Sequence, residues 1–246
     1  MTSLAQAVDK VLQTQIASEK PLAIIVAGHN GAGKSTMWSE SLAPRLKIPL
    51  VNADRMMLSI LPEPKAGKLP GWAQQLRDEN TSWMQVAQSG VEAFVVQAMS
   101  RKVPFAMETV FSHWRDRGDG TFESKIDRIT DLQAAGYFVL LLFVGLADVQ
   151  LSIGRVVTRV SQGGHSVDVD KLVDRFPRTQ TAINAALPIA DAAILMDNSR
   201  ERMDAFTVCR IQLEAEEVYD LRSGVGAVPT EISAWLDIVS PRPVEA

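Results

Sequence analysis

Residues 28–35 read GHNGAGKS and follow the apolar run Leu22-Ala23-Ile24-Ile25-Val26-Ala27. Gly28, Gly33, Lys34 and Ser35 thereby fill the pattern G-x-x-x-x-G-K-[ST], in which each residue type has a physical task. Glycines let the chain curl until successive backbone N–H groups converge on an anion. The helix that follows adds its positive end at the same point. A lysine supplies a point charge to the β- and γ-phosphates, and a Ser/Thr hydroxyl can ligate Mg²⁺. Gly28, His29, Asn30, Gly31, Ala32, Gly33, Lys34, Ser35 and Thr36 are therefore the expected nucleotide cradle, with Ser35 as the metal ligand. An N/T-K-x-D guanine signature is absent, which favours ATP over GTP.

A phosphate held this way can pass to water or to another molecule, and the acids near the loop bear on which. Asp54 follows the second expected strand and Glu108-Thr109 the third. In an open parallel sheet, functional groups gather beyond the carboxyl ends of the strands. One acid can then take the proton of an attacking hydroxyl while the other orients the acceptor or a Mg²⁺-bound water. Asp54 also suits a helix N-cap, and Glu108 a solvated strand end. Arg155 and Arg159 share one helical face, as do Arg175 and Arg178, with Gly163-Gly164 between the two pairs. Such a helix–hinge–helix can close over the γ-phosphate. Alternatively, Asp168, Asp170 and Asp174 neutralise the arginines on a solvated surface. His165 is a candidate substrate contact or a hinge residue bonded to its own backbone. Trp72 and Trp83 suit either a pocket wall or the core.

The elements that must place these residues alternate in type. An amphipathic helix is expected over the first twenty residues, then strands at Leu22–Ala27, Pro49–Asn52, Val103–Met107, Tyr137–Gly145 and Ala192–Met196. Helices are expected at Lys34–Leu46, Thr81–Arg101, Phe122–Ala135, Ala147–Ser161, Asp168–Ala186 and Thr230–Val239. The stretch 62–72 reads as a Pro/Gly loop. Phe206–Gln212 and Glu217–Arg222 are candidate edge strands. Alternating strands and helices predict an α/β fold, a three-layer α/β/α P-loop NTPase with a mainly parallel central sheet. No linker divides the chain, so residues 1–246 are expected to form one domain, with a core at 22–199 and a C-terminal extension at 200–246.

Composition narrows the partners. A net charge of -4 over 246 residues argues against nucleic acid and anionic membranes. The longest apolar run, Tyr137 to Ala147, is too short to span a bilayer. One cysteine, Cys209, and an N-terminus without a signal-type apolar core fit a cytoplasmic chain.

Read together, AGHNGAGKST, VNADRM, FAMETVFS, RVVTRVSQGGHSV with RFPRT, and ADAAILMDNS resemble the zeta-toxin-like P-loop kinases over about residues 22–199. The resemblance implies an ATP-dependent kinase in which Asp54 is the base that deprotonates a sugar hydroxyl. The characterised acceptors of such kinases are UDP-N-acetylhexosamines. It further implies that Glu108 contacts the sugar or the metal environment. Lys34, Arg159 and a second arginine, Arg175 or else Arg178, would stabilise the transferring group. A separate antitoxin is the partner it suggests. The sequence departs from the family at ETVFS, where ETTLS is common. Val110 cannot hydrogen-bond a sugar hydroxyl, so Thr109 or Ser112 must, or the acceptor differs. A nucleotide-dependent ATPase that regulates a partner, or a small-molecule kinase with another acceptor, is the alternative.

Overall fold

The computed structural model describes residues 2–63, 69–79, 81–118, 122–162, 167–224 and 226–242. In chain order the elements are α1 (Leu4–Ala17), β1 (Leu22–Gly28), α2 (Lys34–Met37), a π-helical segment (Trp38–Leu42), α3 (Ala43–Leu46), β2 (Leu50–Val51), α4 (Ala53–Ser59), α5 (Gly71–Glu79), α6 (Thr81–Arg101) and β3 (Phe105–Thr109). Then come β4 (Trp114–Asp116), β5 (Phe122–Ser124), α7 (Ile126–Ala134), β6 (Phe138–Gly145), α8 (Val149–Ser161), α9 (Val169–Ala186), β7 (Ala192–Asp197), β8 (Thr207–Leu213), β9 (Glu216–Asp220) and α10 (Thr230–Val239).

The described residues form a seven-stranded sheet ordered β2-β3-β1-β6-β7-β8-β9. The pairs from β2 to β7 are parallel, and β8 and β9 join antiparallel at one edge. Strands β1 and β6 lie at the centre and are buried throughout, so both faces are apolar. Alternate residues feed two cores. Ala23, Ile25, Val139, Leu141 and Phe143 pack with α6, α7, α9 and α10. Ile24, Val26, Leu140, Leu142 and Val144 pack with α1 and the helix after the phosphate loop. This is the expected α/β/α layering.

Three local expectations are corrected. Phe122–Ser124 is not the start of a helix but a strand paired with Trp114–Asp116, and the Trp114 and Phe122 rings stack 4.7 Å apart. Cross-strand aromatic packing outweighs local helix propensity there. The loop expected through residue 72 gives way to α5 from Gly71 onward. The third strand begins at Phe105 and extends to Thr109, beyond the expected Met107, carrying Glu108 within it. The Gly163-Gly164 hinge and His165 lie outside the described residues.

At the carboxyl end of β6, Gly145 lies against the Trp235 ring of α10, where any added Cβ would come within 2.0 Å of the ring's Cζ2. Trp235 is buried and stacks on Phe143 at 5.9 Å. Gly145→Ala is expected to destabilise the fold by about 2–3 kcal/mol, as overpacking of a filled core does. Urea unfolding measures it, and Trp235→Leu in the same chain should recover part of the loss. An unchanged midpoint for Gly145→Ala would show that the β6–α10 contact is loose.

Candidate functional site

The loop between β1 and α2 owes its curl to glycines at positive φ, Gly31 at 72° and Gly33 at 87°. A side chain on Gly31 would press on the Arg155 Cβ and the Ser152 carbonyl of α8, and one on Gly33 would meet Asn198 Nδ2 at 2.9 Å. Both positions thus require glycine for conformation and for space. The loop is also tied from outside. Asn198, at the end of β7, donates to the Ala32 carbonyl at 2.9 Å, and Ser152 Oγ donates to the Asn30 carbonyl at 2.8 Å.

Lys34 is buried, and its Nζ donates to the carbonyls of Gly28 (3.1 Å) and His29 (3.0 Å). Burial lowers its pKa from the ordinary lysine value. Arg159 lowers it further, while Glu108 and, more weakly, Asp54 oppose the shift. The ammonium therefore sits in the combined field of the two acids and an arginine of α8. The Ser35 hydroxyl donates to both Glu108 carboxylate oxygens, at 2.9 and 3.1 Å.

One cavity of about 490 Å³ is lined by Lys34, Asp54, Glu108, Thr109, Arg159 and Arg175, with Asn30 and Gly31 from the loop. These residues come from five separate stretches of the chain. An adjoining cavity of about 930 Å³ shares Glu108, Thr109 and Arg175 and adds Ser112, Lys125 and Arg178. Asp54 lies in the first turn of α4, but Asn52 is the cap: its Oδ1 accepts from the Arg55 N–H at 3.2 Å. The carboxylate of Asp54 is exposed and not consumed by capping. Beyond Thr109 the buried Phe111 adopts φ 64°, and Thr109 Oγ1 accepts from its N–H at 3.3 Å. Such a conformation in a bulky residue costs about 1–3 kcal/mol and concentrates at functional turns; here it redirects the chain beneath the second cavity.

Of the lid arginines, Arg159 and Arg175 line the cavity that holds Lys34. Arg178 lines the neighbouring cavity and pairs with Asp174 one turn back. Arg155 packs its Cβ toward Gly31 instead. Asp168 is the N-cap of α9, accepting from the Asp170 and Lys171 N–H groups at 2.9 and 3.3 Å, rather than an arginine partner. Gly28, Ala32, Gly33, Ser35 and Thr36 form the loop and its helix start without lining the cavity. Trp72 is exposed, and neither it nor Trp83 lines either cavity.

Two cations that line the cavity with Lys34 escaped the sequence reading. Lys171 lies one helical turn before Arg175, a spacing that was legible. The buried Arg77 comes from α5, an element the sequence reading did not foresee.

His29 turns its ring away from the cavity. The ring stacks on Phe176 of α9 with centroids 3.9 Å apart and planes at 13°, meets the Phe143 edge, and accepts from the Leu146 N–H through Nδ1 at 3.2 Å. Burial, helped by the Lys34 ammonium and opposed by the Phe176 backbone, lowers its pKa from 6.5 to about 3. Below pH 6.5 the unfolded chain takes up a proton here that the native one refuses until about pH 3. Stability is therefore lost as pH falls through that window, by about 1 kcal/mol per pH unit from this group. His29→Asn keeps an acceptor for Leu146 and is expected to flatten the pH dependence of urea unfolding between pH 7 and 5. A slope as steep as the wild type's would assign the acid sensitivity to other groups.

A parallel sheet whose first strand runs into a glycine-curled loop, with a buried lysine facing acids and arginines across a cavity, defines a P-loop kinase, an ATP-dependent phosphotransferase. Within that class the chain belongs to the zeta toxin family, whose profile matches residues 6–202. Solved structures agree on the fold. The AvrRxo1-ORF1:AvrRxo1-ORF2 complex with sulphate ions aligns at TM-score 0.58 and 15% identity, over 99% of this chain and 72% of that one. The same pair with ATP aligns at 0.57 and 14%, again over 99% and 72%. A structure from the PezAT toxin-antitoxin system of Streptococcus pneumoniae aligns at 0.54 and 13%, over 100% and 91%. No curated protein sequence matches the chain significantly. Among the described residues no helix is long and apolar enough to cross a membrane.

Proposed function

We propose that this kinase moves the γ-phosphoryl group of ATP to a hydroxyl of a small molecule, a UDP-N-acetylhexosamine being the leading acceptor. The observation that carries the reading is the placement of Asp54 and Glu108 in one cavity with Lys34, Arg159 and Arg175. The nucleotide's phosphates lie along the loop N–H groups and Lys34. The acceptor enters from the adjoining cavity, where Thr109 and Ser112 offer hydroxyls in place of the apolar Val110. Asp54 takes the proton as the acceptor oxygen bonds to the γ-phosphorus. The bond from that phosphorus to the β–γ bridging oxygen breaks, and ADP leaves. Arg159 and Arg175 balance the charge on the phosphoryl oxygens in flight.

The donor set suits Mg²⁺. A hydroxyl and a carboxylate, Ser35 and Glu108, already converge, and Mg²⁺ typically takes one or two protein oxygens and leaves the rest to phosphate and water. Among the described residues no group of three or more His, Cys, Asp or Glu side chains forms a cage for a metal. Held by Ser35 and Glu108, the ion would supply positive charge to offset that of the phosphates. An antitoxin is the partner we infer, supported by the toxin-antitoxin system to which one structural neighbour belongs.

Mass spectrometry of reactions with ATP and Mg²⁺, with and without UDP-N-acetylglucosamine, tests the proposal. A UDP-sugar heavier by one phosphoryl group, absent with Asp54→Ala, is the expected result. ADP formed without any acceptor, and no phosphorylated sugar, would indicate an ATPase. If neither forms, the acceptor is another metabolite.

A further inference from the structure

The helices that carry Arg159 and Arg175 are each fastened to the phosphate loop, by different means. Helix α8, which bears Arg159, is held by Ser152 Oγ on the Asn30 carbonyl at 2.8 Å. Helix α9, which bears Arg175, is held by the ring next door: Phe176, 8% exposed, lies flat on His29 at 3.9 Å. His29 is itself fixed by the Leu146 N–H and by the Phe143 edge. Leu172 and Thr179, one turn to either side of Phe176, are buried on the same face of α9. Arg175 points from this anchored helix into the cavity with Lys34. Neighbouring helix positions point about 100° apart, so seating Phe176 on the loop sets the height and rotation at which Arg175 meets the nucleotide. Stacked aromatic pairs stabilise beyond their buried area and fix geometry as well.

We propose that the His29–Phe176 stack is a positioning device that sets Arg175 on the terminal phosphate, so that preference for a nucleoside triphosphate over its diphosphate depends on an aromatic ring at position 176. The inference rests on the kinase reading with Arg175 at the γ-phosphate. It makes His29 functional through its ring and not through its backbone alone.

Calorimetric titration with Mg²⁺ and either adenylyl imidodiphosphate or ADP tests this without knowledge of the acceptor. The wild type is expected to bind the triphosphate analogue tighter by about tenfold or more, the worth of a charged hydrogen bond. Phe176→Leu should erase most of that ratio while leaving the ADP affinity near the wild type's. Phe176→Tyr, which keeps the ring, should restore it. Arg175→Ala should also erase the ratio, and Phe176→Leu added to it should change nothing more, because the two act as a unit. Equal weakening of both nucleotides by Phe176→Leu, additive losses in the double variant, or an unaltered ratio would each overturn the proposal. If Phe176→Leu does not fold, His29→Asn carries the same comparison. A wild type that binds both nucleotides alike would refute the placement of Arg175, whereas one that binds neither would refute the kinase reading itself.

Discussion

Asp54→Asn is expected to lower the turnover of phosphoryl transfer by about 10²- to 10⁴-fold, the usual worth of a positioned general base, with nucleotide affinity nearly unchanged. The reasoning is geometric. Asp54 opens α4 but leaves the capping to Asn52, so an amide at position 54 removes no structural bond. It lines the same cavity as Glu108, Lys34 and the loop residues Asn30 and Gly31. Among the charges acting on Lys34, Glu108 ranks above Asp54, and Glu108 also engages Ser35. On the proposed mechanism the two acids therefore divide the work, Glu108 on the metal and nucleotide side and Asp54 on the incoming hydroxyl. Rapid-quench measurement of product, paired with titration of ATP binding, separates the roles. If Asp54→Asn weakens ATP binding as much as turnover, the acid supports the loop and some other group takes the proton.

The division between what sequence reveals and what it hides follows the range of the forces involved. The phosphate loop was legible because its demands are local: glycines at positive φ, a lysine and a hydroxyl at fixed spacing. The five parallel strands were legible because apolar runs between helical patterns admit few other readings. The β4–β5 pair was not, since Trp114 and Phe122 meet only across two paired strands, and local propensity around Phe122 favours a helix. Spacing alone left Arg175 and Arg178 undecided. The phase of α9 separates them, and that phase is fixed by burying Leu172, Phe176, Ala182 and Ile183. His29 was expected only as part of the nucleotide cradle, and its stacking was not legible because its partner is 147 residues away in sequence.

Lys34→Met sets function against stability in one residue. Turnover is expected to fall by about 10³-fold or more, as when a charge is removed from a developing phosphoryl oxyanion in a water-poor site. Unlike Asp54→Asn, it should also weaken ATP binding, because the ammonium meets the β- and γ-phosphates before any bond changes. Without nucleotide, however, the wild-type ammonium is a cost. Burial is the largest influence on it and lowers its pKa, and Arg159 adds repulsion. A methionine of similar length fills the space with no charge to desolvate. The nucleotide-free variant is therefore expected to melt no lower than the wild type, while ATP should raise the melting temperature of the wild type far more than that of the variant. Thermal unfolding with and without ATP and Mg²⁺ reads both effects. A variant that melts well below the wild type without nucleotide would mean that Lys34 holds the empty loop together, and its loss of activity would then say little about the phosphoryl group.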